Sequence, residues 1–119
     1  MPENISLDSM AIFANATVYF EFDKSSLTSK SIQTLKSAVD ALNENSTIEV
    51  TLSGHADERG TREYNLALGQ RRAESVSDYL VLNGIKKSRI TVKSFGEEKP
   101  LAYGQDEASY AKNRRVEIK

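Results

Sequence analysis

Two stretches with apolar residues at helical spacing alternate with three stretches that read as strands, and this alternation constrains the fold more than any other feature of the chain. Thr17-Val18-Tyr19-Phe20-Glu21-Phe22 is β-branched and aromatic, and Asp23-Lys24-Ser25-Ser26 ends it, so it reads as a first strand. Ile32, Leu35, Val39 and Leu42 then recur at helical spacing, with Ala38 and Ala41 beside them. With Thr28 or Ser29 as N-cap, the spacing predicts a helix from about residue 29 to 44. Thr47 to Ser53 alternates, with Ile48, Val50 and Leu52 on one face, as a half-buried second strand does. Gly54 to Thr61 reads as a polar loop bounded by glycines. Thr61 caps a second predicted helix, about 62 to 83, closed by Asn83-Gly84. A third strand falls within Ser88–Gly96, and Asp106 caps a short helix in the long connection that follows. Arg114 to Ile118 reads as a last strand, and residues 3–14 as an N-terminal helical arm.

The resulting order, β-α-β-α-β-β, is that of an α+β two-layer sandwich: a mixed four-stranded sheet with helices on one face. Right-handed crossovers through helices make the first three strands parallel. Their C-terminal ends therefore meet at one edge of the sheet. Phe22-Asp23, the 54–61 loop and the start of the second helix converge there, and such edges are favoured ligand sites. The 119 residues fit one domain, with an arm over 1–16 and the domain proper over 17–119. No apolar run approaches the roughly 18 residues that a membrane span needs, and the N-terminus has neither the basic segment nor the apolar stretch of a signal peptide.

Charge narrows the search for function. The net charge is −1, which disfavours a generic polyanion binder. All seven arginines lie at or beyond Arg59, and residues 51–119 carry a net +3 against −4 for residues 1–50. Arginine presents a planar fork suited to carboxylates, so the second half is where acid recognition is expected, even though most of these arginines are expected to do no more than solvate helix faces. Around the second helix, Leu66, Gly69, Ala73, Val76 and Leu80 form the core face, and Gly69 mid-helix implies a close packing contact. Leu68, Arg72 and Tyr79 fall on the flank, with the Arg72 guanidinium reaching the helix edge. Two readings of Arg72 follow. It either pairs locally with a carboxylate, Asp57 foremost, or stands apart from Asp57 so that the two clasp the poles of a zwitterion.

Other chemistries find little support. His55, Asp57 and Glu58 are conceivable metal ligands of a hydrolase, but His55 is the single histidine and zinc enzymes commonly use two or more. His55 is instead expected to be a loop residue whose hydrogen bonds to backbone shape a pocket. No G-x-S-x-G elbow is present, and cysteine is absent, which removes thiolate chemistry and disulfides. Arg71-Arg72, Lys86-Lys87 and Arg114-Arg115 are scattered and interleaved with acids, so they make no nucleic-acid motif. The aromatic residues of the first strand are expected in the core, apart from Phe22 at its end.

Several segments together carry a family resemblance. Gly54-His55-Ala56-Asp57-Glu58-Arg59-Gly60-Thr61, then Tyr64-Asn65, then Ala67 to Ala73, resemble the OmpA-like peptidoglycan-binding domain family. Val18 to Lys24 resembles its first strand, and Gly96-Glu97-Glu98-Lys99-Pro100 and Asp106 to Arg115 resemble its last third. Ala56, where many relatives carry threonine, narrows the resemblance to the peptidoglycan-associated lipoprotein branch, that of the Tol–Pal system. Ser25 departs from a tyrosine frequent in close relatives.

The resemblance implies non-covalent binding of the peptidoglycan stem peptide, centred on meso-diaminopimelate. In that role Asp57 would take the ligand ammonium and Arg72 its carboxylate. Phe22 and Asp23 would line the pocket, Arg59 and Leu68 would contact the peptide, and backbone N–H groups near Ala56 and Asp57 would donate. Asp57→Ala and Arg72→Ala are each expected to abolish most binding while the fold survives. No enzymatic activity, cofactor or metal is implied. TolB is the implied protein partner, with TolA a second, and the domain would be monomeric. It would lie in the periplasm of a Gram-negative bacterium, tethering the outer membrane to the wall, notably during division. The lipidated cysteine that anchors such proteins is absent here, so the chain is expected to be the wall-binding domain of a longer protein. A wall anchor from a larger OmpA-type or flagellar-stator protein is the alternative within the same fold.

Overall fold

The computed structural model describes residues 16–119. The helical arm expected over residues 3–14 lies outside the described residues. Four strands, β1 (Thr17–Tyr19), β2 (Val50–His55), β3 (Ile90–Gly96) and β4 (Arg115–Ile118), form one mixed sheet in the order β1-β4-β2-β3. β2 and β3 are parallel, and β4 runs antiparallel to both β1 and β2. The first three strands thus point the same way, as their helical crossovers require. The helices are α1 (Ser29–Glu44), α2 (Arg62–Leu82) and the short α3 (Glu107–Asn113).

Each helix begins where the sequence places a cap. Thr28, Thr61 and Asp106 accept hydrogen bonds from the backbone N–H of Ser31, Tyr64 and Ser109, at 3.1, 3.1 and 2.8 Å. Each bond satisfies a donor that has no partner within its helix. Leu35, Ala38 and Leu42 of α1 and Ala73, Val76 and Leu80 of α2 meet Val18, Val50, Leu52, Val116 and Ile118 of the sheet in one core.

Three strand boundaries lie two or more residues from expectation. β2 starts three residues later than predicted, because Thr47–Glu49 lead out of a turn closed by Ile48 N–H to the Asn45 carbonyl. It also runs on through Gly54 and His55. Gly54 pairs with both Ser94 and Val116, and His55 pairs with Gly96 across a register shift. β1 ends at Tyr19, and Tyr19 itself is half exposed rather than in the core, whereas Phe20 is buried as expected.

α2 packs on β2 and β3, and at Gly54 and Gly69 the backbones of helix and strand touch directly. A Cβ on Gly54 would collide with the Gly69 carbonyl oxygen, and one on Gly69 would lie 2.9 Å from the Gly54 carbonyl oxygen. The predicted close contact of Gly69 is therefore with Gly54, two residues before Ala56 and the site loop. Ser94 Oγ fastens the same junction by donating to the Leu66 carbonyl at 2.7 Å.

Candidate functional site

The C-terminal ends of β1 and β2 and the first turns of α2 enclose a cleft of about 380 Å3. Phe22, Asp23, Ala56, Asp57, Arg59, Leu68 and Arg72, the seven residues expected from sequence, all line it. They come from three separate places in the chain. Phe22 and Asp23 form the turn after β1, where Asp23 adopts a left-handed φ of 59° and Phe22 is left exposed. The Asp23 carboxylate accepts a hydrogen bond from the Tyr64 hydroxyl, which ties this turn to α2. Ala56, Asp57 and Arg59 come from the loop after β2, and Leu68 and Arg72 from α2.

Asp57 is 5% exposed and fully engaged. Its Oδ1 accepts from the Arg59 backbone N–H and from Arg59 Nε, both at 3.0 Å, and its Oδ2 accepts from Arg59 Nη2 at 2.8 Å. Arg114 Nη1 stands 3.7 Å from Oδ2. Burial would push the carboxyl pKa up, but the Arg59 side-chain and backbone hydrogen bonds outweigh it and hold the pKa below the ordinary aspartate value. The Arg59 guanidinium is held on both faces, 4.1 Å from the Phe22 ring centroid and 4.3 Å from that of Tyr110.

Arg72 is not on the flank of α2 in the sense that its sequence position implied. Its side chain is fully buried, with 0% exposure. Nε donates to the Lys24 carbonyl at 2.8 Å, Nη1 to the His55 carbonyl at 2.9 Å and Nη2 to the Glu21 carbonyl at 3.1 Å. One guanidinium thus joins the turn after β1 to the end of β2. Helical periodicity could not show this, because those acceptors are backbone atoms of the turn after β1 and of the end of β2. Burial and the neighbouring Arg114 charge lower the Arg72 pKa to about 10, against the pull of Asp57 and Asp23. The group remains a cation at neutral pH. Its local pairing with Asp57, the first of the two sequence readings, does not occur: among the described residues, Asp57 pairs with Arg59 and Arg114.

Three further expectations are corrected. His55 is the last residue of β2, not a loop residue, and among the described residues neither nitrogen of its ring has a hydrogen-bond partner. The ring stacks on Phe95 at 5.5 Å, and only the His55 carbonyl serves the site, as an acceptor for Arg72. The Ala56 N–H is already spent on the Gly96 carbonyl at 2.9 Å, so it is not a donor for a ligand. The arginines do not mainly solvate helix faces. Arg72, Arg114 and Arg115 are buried, and Arg72, Arg89, Arg114 and Arg115 all donate to backbone carbonyls.

Gly60, Thr61, Tyr64 and Asn65 also line the cleft and were not picked out as site residues. A signal existed for Tyr64. Tyr64, Leu68 and Arg72 follow one another at four-residue spacing, which is one stripe of a helix. Asn65 is buried, and its amide donates to Glu97 at 2.8 Å. His55, Asp57 and Glu58 do not gather into a metal site. Among the described residues, no group of three or more histidine, aspartate or glutamate side chains is placed to hold an ion.

The chain is similar to known proteins over most of its length. The OmpA family model matches residues 19–114. The peptidoglycan-associated lipoprotein of Pseudomonas aeruginosa is 48% identical over 112 residues, which cover 94% of this chain and 66% of that protein. The chain thus spans a little under two thirds of that relative's length. The crystal structure of the peptidoglycan-associated lipoprotein from Burkholderia pseudomallei superposes with a TM-score of 0.89 at 40% identity, over 97% of this chain and 98% of that one. The cell wall anchor of the T6SS from Pseudomonas aeruginosa superposes with a TM-score of 0.73 at 30% identity, over 86% of this chain and 76% of that one. The family match runs from the end of β1 to the threshold of β4 and takes in every residue of the cleft, and by it the chain belongs to the OmpA family.

Proposed function

We propose that this domain binds peptidoglycan non-covalently at the cleft, and that the ligand is the stem peptide's meso-diaminopimelate. The observation that carries the reading is the convergence of Phe22, Asp23, Ala56, Asp57, Arg59, Leu68 and Arg72 on one cleft with a carboxylate and a guanidinium in its wall. The free end of diaminopimelate bears one ammonium and one carboxylate. Three of the five N–H groups of Arg72 go to backbone carbonyls, which leaves one on each Nη. A ligand carboxylate would take that pair once the wall of the cleft over the buried guanidinium moves aside. Asp57 is the acceptor for the ammonium. Leu68 and Ala56 supply an apolar floor for the methylenes between the two poles.

The names of the relatives support a wall-associated role. In this reading the domain sits in the periplasm of a Gram-negative bacterium, as the wall-binding part of a lipid-anchored protein. It acts as a tether rather than an enzyme, and is monomeric. TolB is its protein partner, and TolA a second. The structural likeness to a T6SS wall anchor favours a second reading, in which the same cleft anchors a different envelope assembly. A pull-down of purified TolB by this domain separates the two.

Isothermal titration with a diaminopimelate-containing stem peptide tests the ligand. Asp57→Asn keeps the shape and removes the charge. It is expected to weaken binding by about tenfold or more, the size of one charge-assisted hydrogen bond, with far-UV circular dichroism unchanged. Wild-type affinity in Asp57→Asn would overturn the assignment.

A further inference from the structure

The carboxylate that this reading gives to a ligand ammonium is already occupied. Arg59 grips Asp57 through one guanidinium edge, Nε and Nη2, and through its own backbone N–H. Asp57 is 5% exposed and already has Arg114 Nη1 3.7 Å from its Oδ2, so it has little room for a further cation beside Arg59. Arg59, by contrast, is 36% exposed and has somewhere else to go. Its Nη2 lies 3.9 Å from Glu107 Oε1, and its guanidinium is already stacked between Phe22 and Tyr110. A small swing toward Glu107 would release Asp57 without taking the charge off either ring.

We infer that Arg59 is the specificity-determining residue of the cleft: it holds Asp57 in reserve and gives it up only to a ligand that brings an anion together with its cation. The inference rests on the peptidoglycan reading above. An amine alone would replace a two-pronged guanidinium contact with a single ammonium, and that exchange is unfavourable. A zwitterion makes the same exchange and adds the contacts of its carboxylate to the two remaining Arg72 N–H groups. The second set of contacts offsets the first loss. Discrimination then comes from a competitor built into the site, so the wrong ligand is refused rather than merely bound less well.

The test compares two stem peptides by titration, one carrying diaminopimelate and one carrying lysine, whose side chain has the amine and lacks the carboxylate. Wild type is expected to prefer the first. Arg59→Ala is expected to narrow that preference by about tenfold, through a gain in lysine-peptide affinity. Arg59→Lys, which keeps the charge and loses the fork, is expected to fall between. Circular dichroism of both variants checks the fold. An equal loss of both peptides in Arg59→Ala would overturn the inference by making Arg59 a plain ligand contact, and so would an unchanged preference. Failure of wild type to bind the diaminopimelate peptide would instead overturn the underlying ligand assignment.

Discussion

Arg72 is one cation with two duties, and the structural one is the larger. Its three carbonyl acceptors come from the turn after β1 and from the end of β2. Truncation would leave those oxygens without their charged donor and remove the side chain that joins the two segments. Arg72→Ala is therefore expected to lower unfolding free energy by about 3 kcal/mol or more, read as a fall in the urea midpoint. This revises the expectation that the fold would survive that substitution intact, and it makes Asp57→Asn the cleaner probe of binding. Arg89 provides the matching control. It donates to the carbonyls of Ile48, Leu42 and Asn45, among them the last turn of α1, away from the cleft-lining residues. Arg89→Ala is expected to reduce stability by about 2 kcal/mol and to leave peptide affinity at the wild-type value in the same titration.

His55 sets a pH dependence at the same scale. Burial above all, and then the charge of Arg115, lower its pKa from 6.5 to about 4. The unfolded chain therefore binds more protons than the folded one between these values. Stability from the neutral ring is full above the unfolded pKa of 6.5 and is lost as pH falls toward 4. The loss is on the order of 3 kcal/mol, since each pKa unit corresponds to about 1.4 kcal/mol. Urea midpoints measured from pH 7 to 4 are expected to fall steeply in wild type and less steeply in His55→Phe, whose ring cannot titrate. Parallel curves would rule out the histidine as the cause.

At the scale of elements, the junction of α2 with β2 decides where the cleft sits. Gly54 and Gly69 bring helix and strand into backbone contact, which places Leu68 and Arg72 close to the end of β2. Helix propensity alone predicts that Gly69→Ala stabilises α2 by about 1 kcal/mol. The opposite is expected. The added methyl meets Ser94 Oγ and the Gly54 carbonyl, and overpacking of this kind typically costs about 1–3 kcal/mol. Gly54→Ala, whose Cβ would meet a backbone oxygen of α2, is expected to be the worse of the two in a denaturation series. The sequence marked Gly69 as the sign of a close approach, but it held no sign of the partner. Nor did it show that Gly54 and His55 belong to β2. Their pairing is with β3 and β4, tens of residues later, and a local reading of Gly-His-Ala-Asp sees only a turn.

At the scale of the molecule, the parallel direction of β1, β2 and β3 brings the working residues to one edge. A stem peptide titrated into labelled protein is expected to shift amide resonances in 20–24, 55–61 and 64–72. The opposite end, around Asn45–Ile48 and Asn83–Ile85, is expected to stay still. Shifts confined to that opposite end would displace the site from the cleft.

The order of elements, the three caps, most of the core face of each helix and the edge where ligands meet were legible in the sequence, although Leu66 is half-buried and the flank residues Leu68 and Arg72 are buried. They follow from local rules: apolar spacing sets which face is buried, capping side chains satisfy orphan N–H groups, and helical crossovers have one hand. Seven of the residues that line the cleft were also legible, through the resemblance to the family; Gly60, Thr61, Tyr64 and Asn65 were not. The partners of their charges were decided by tertiary structure alone. Sequence offered Asp57 for Arg72, yet the fold gives Asp57 to Arg59 and surrounds Arg72 with carbonyl oxygens. Those acceptors are backbone atoms, which every residue carries and no sequence pattern distinguishes. Only the closing of β1 and β2 around α2 turns them toward one guanidinium.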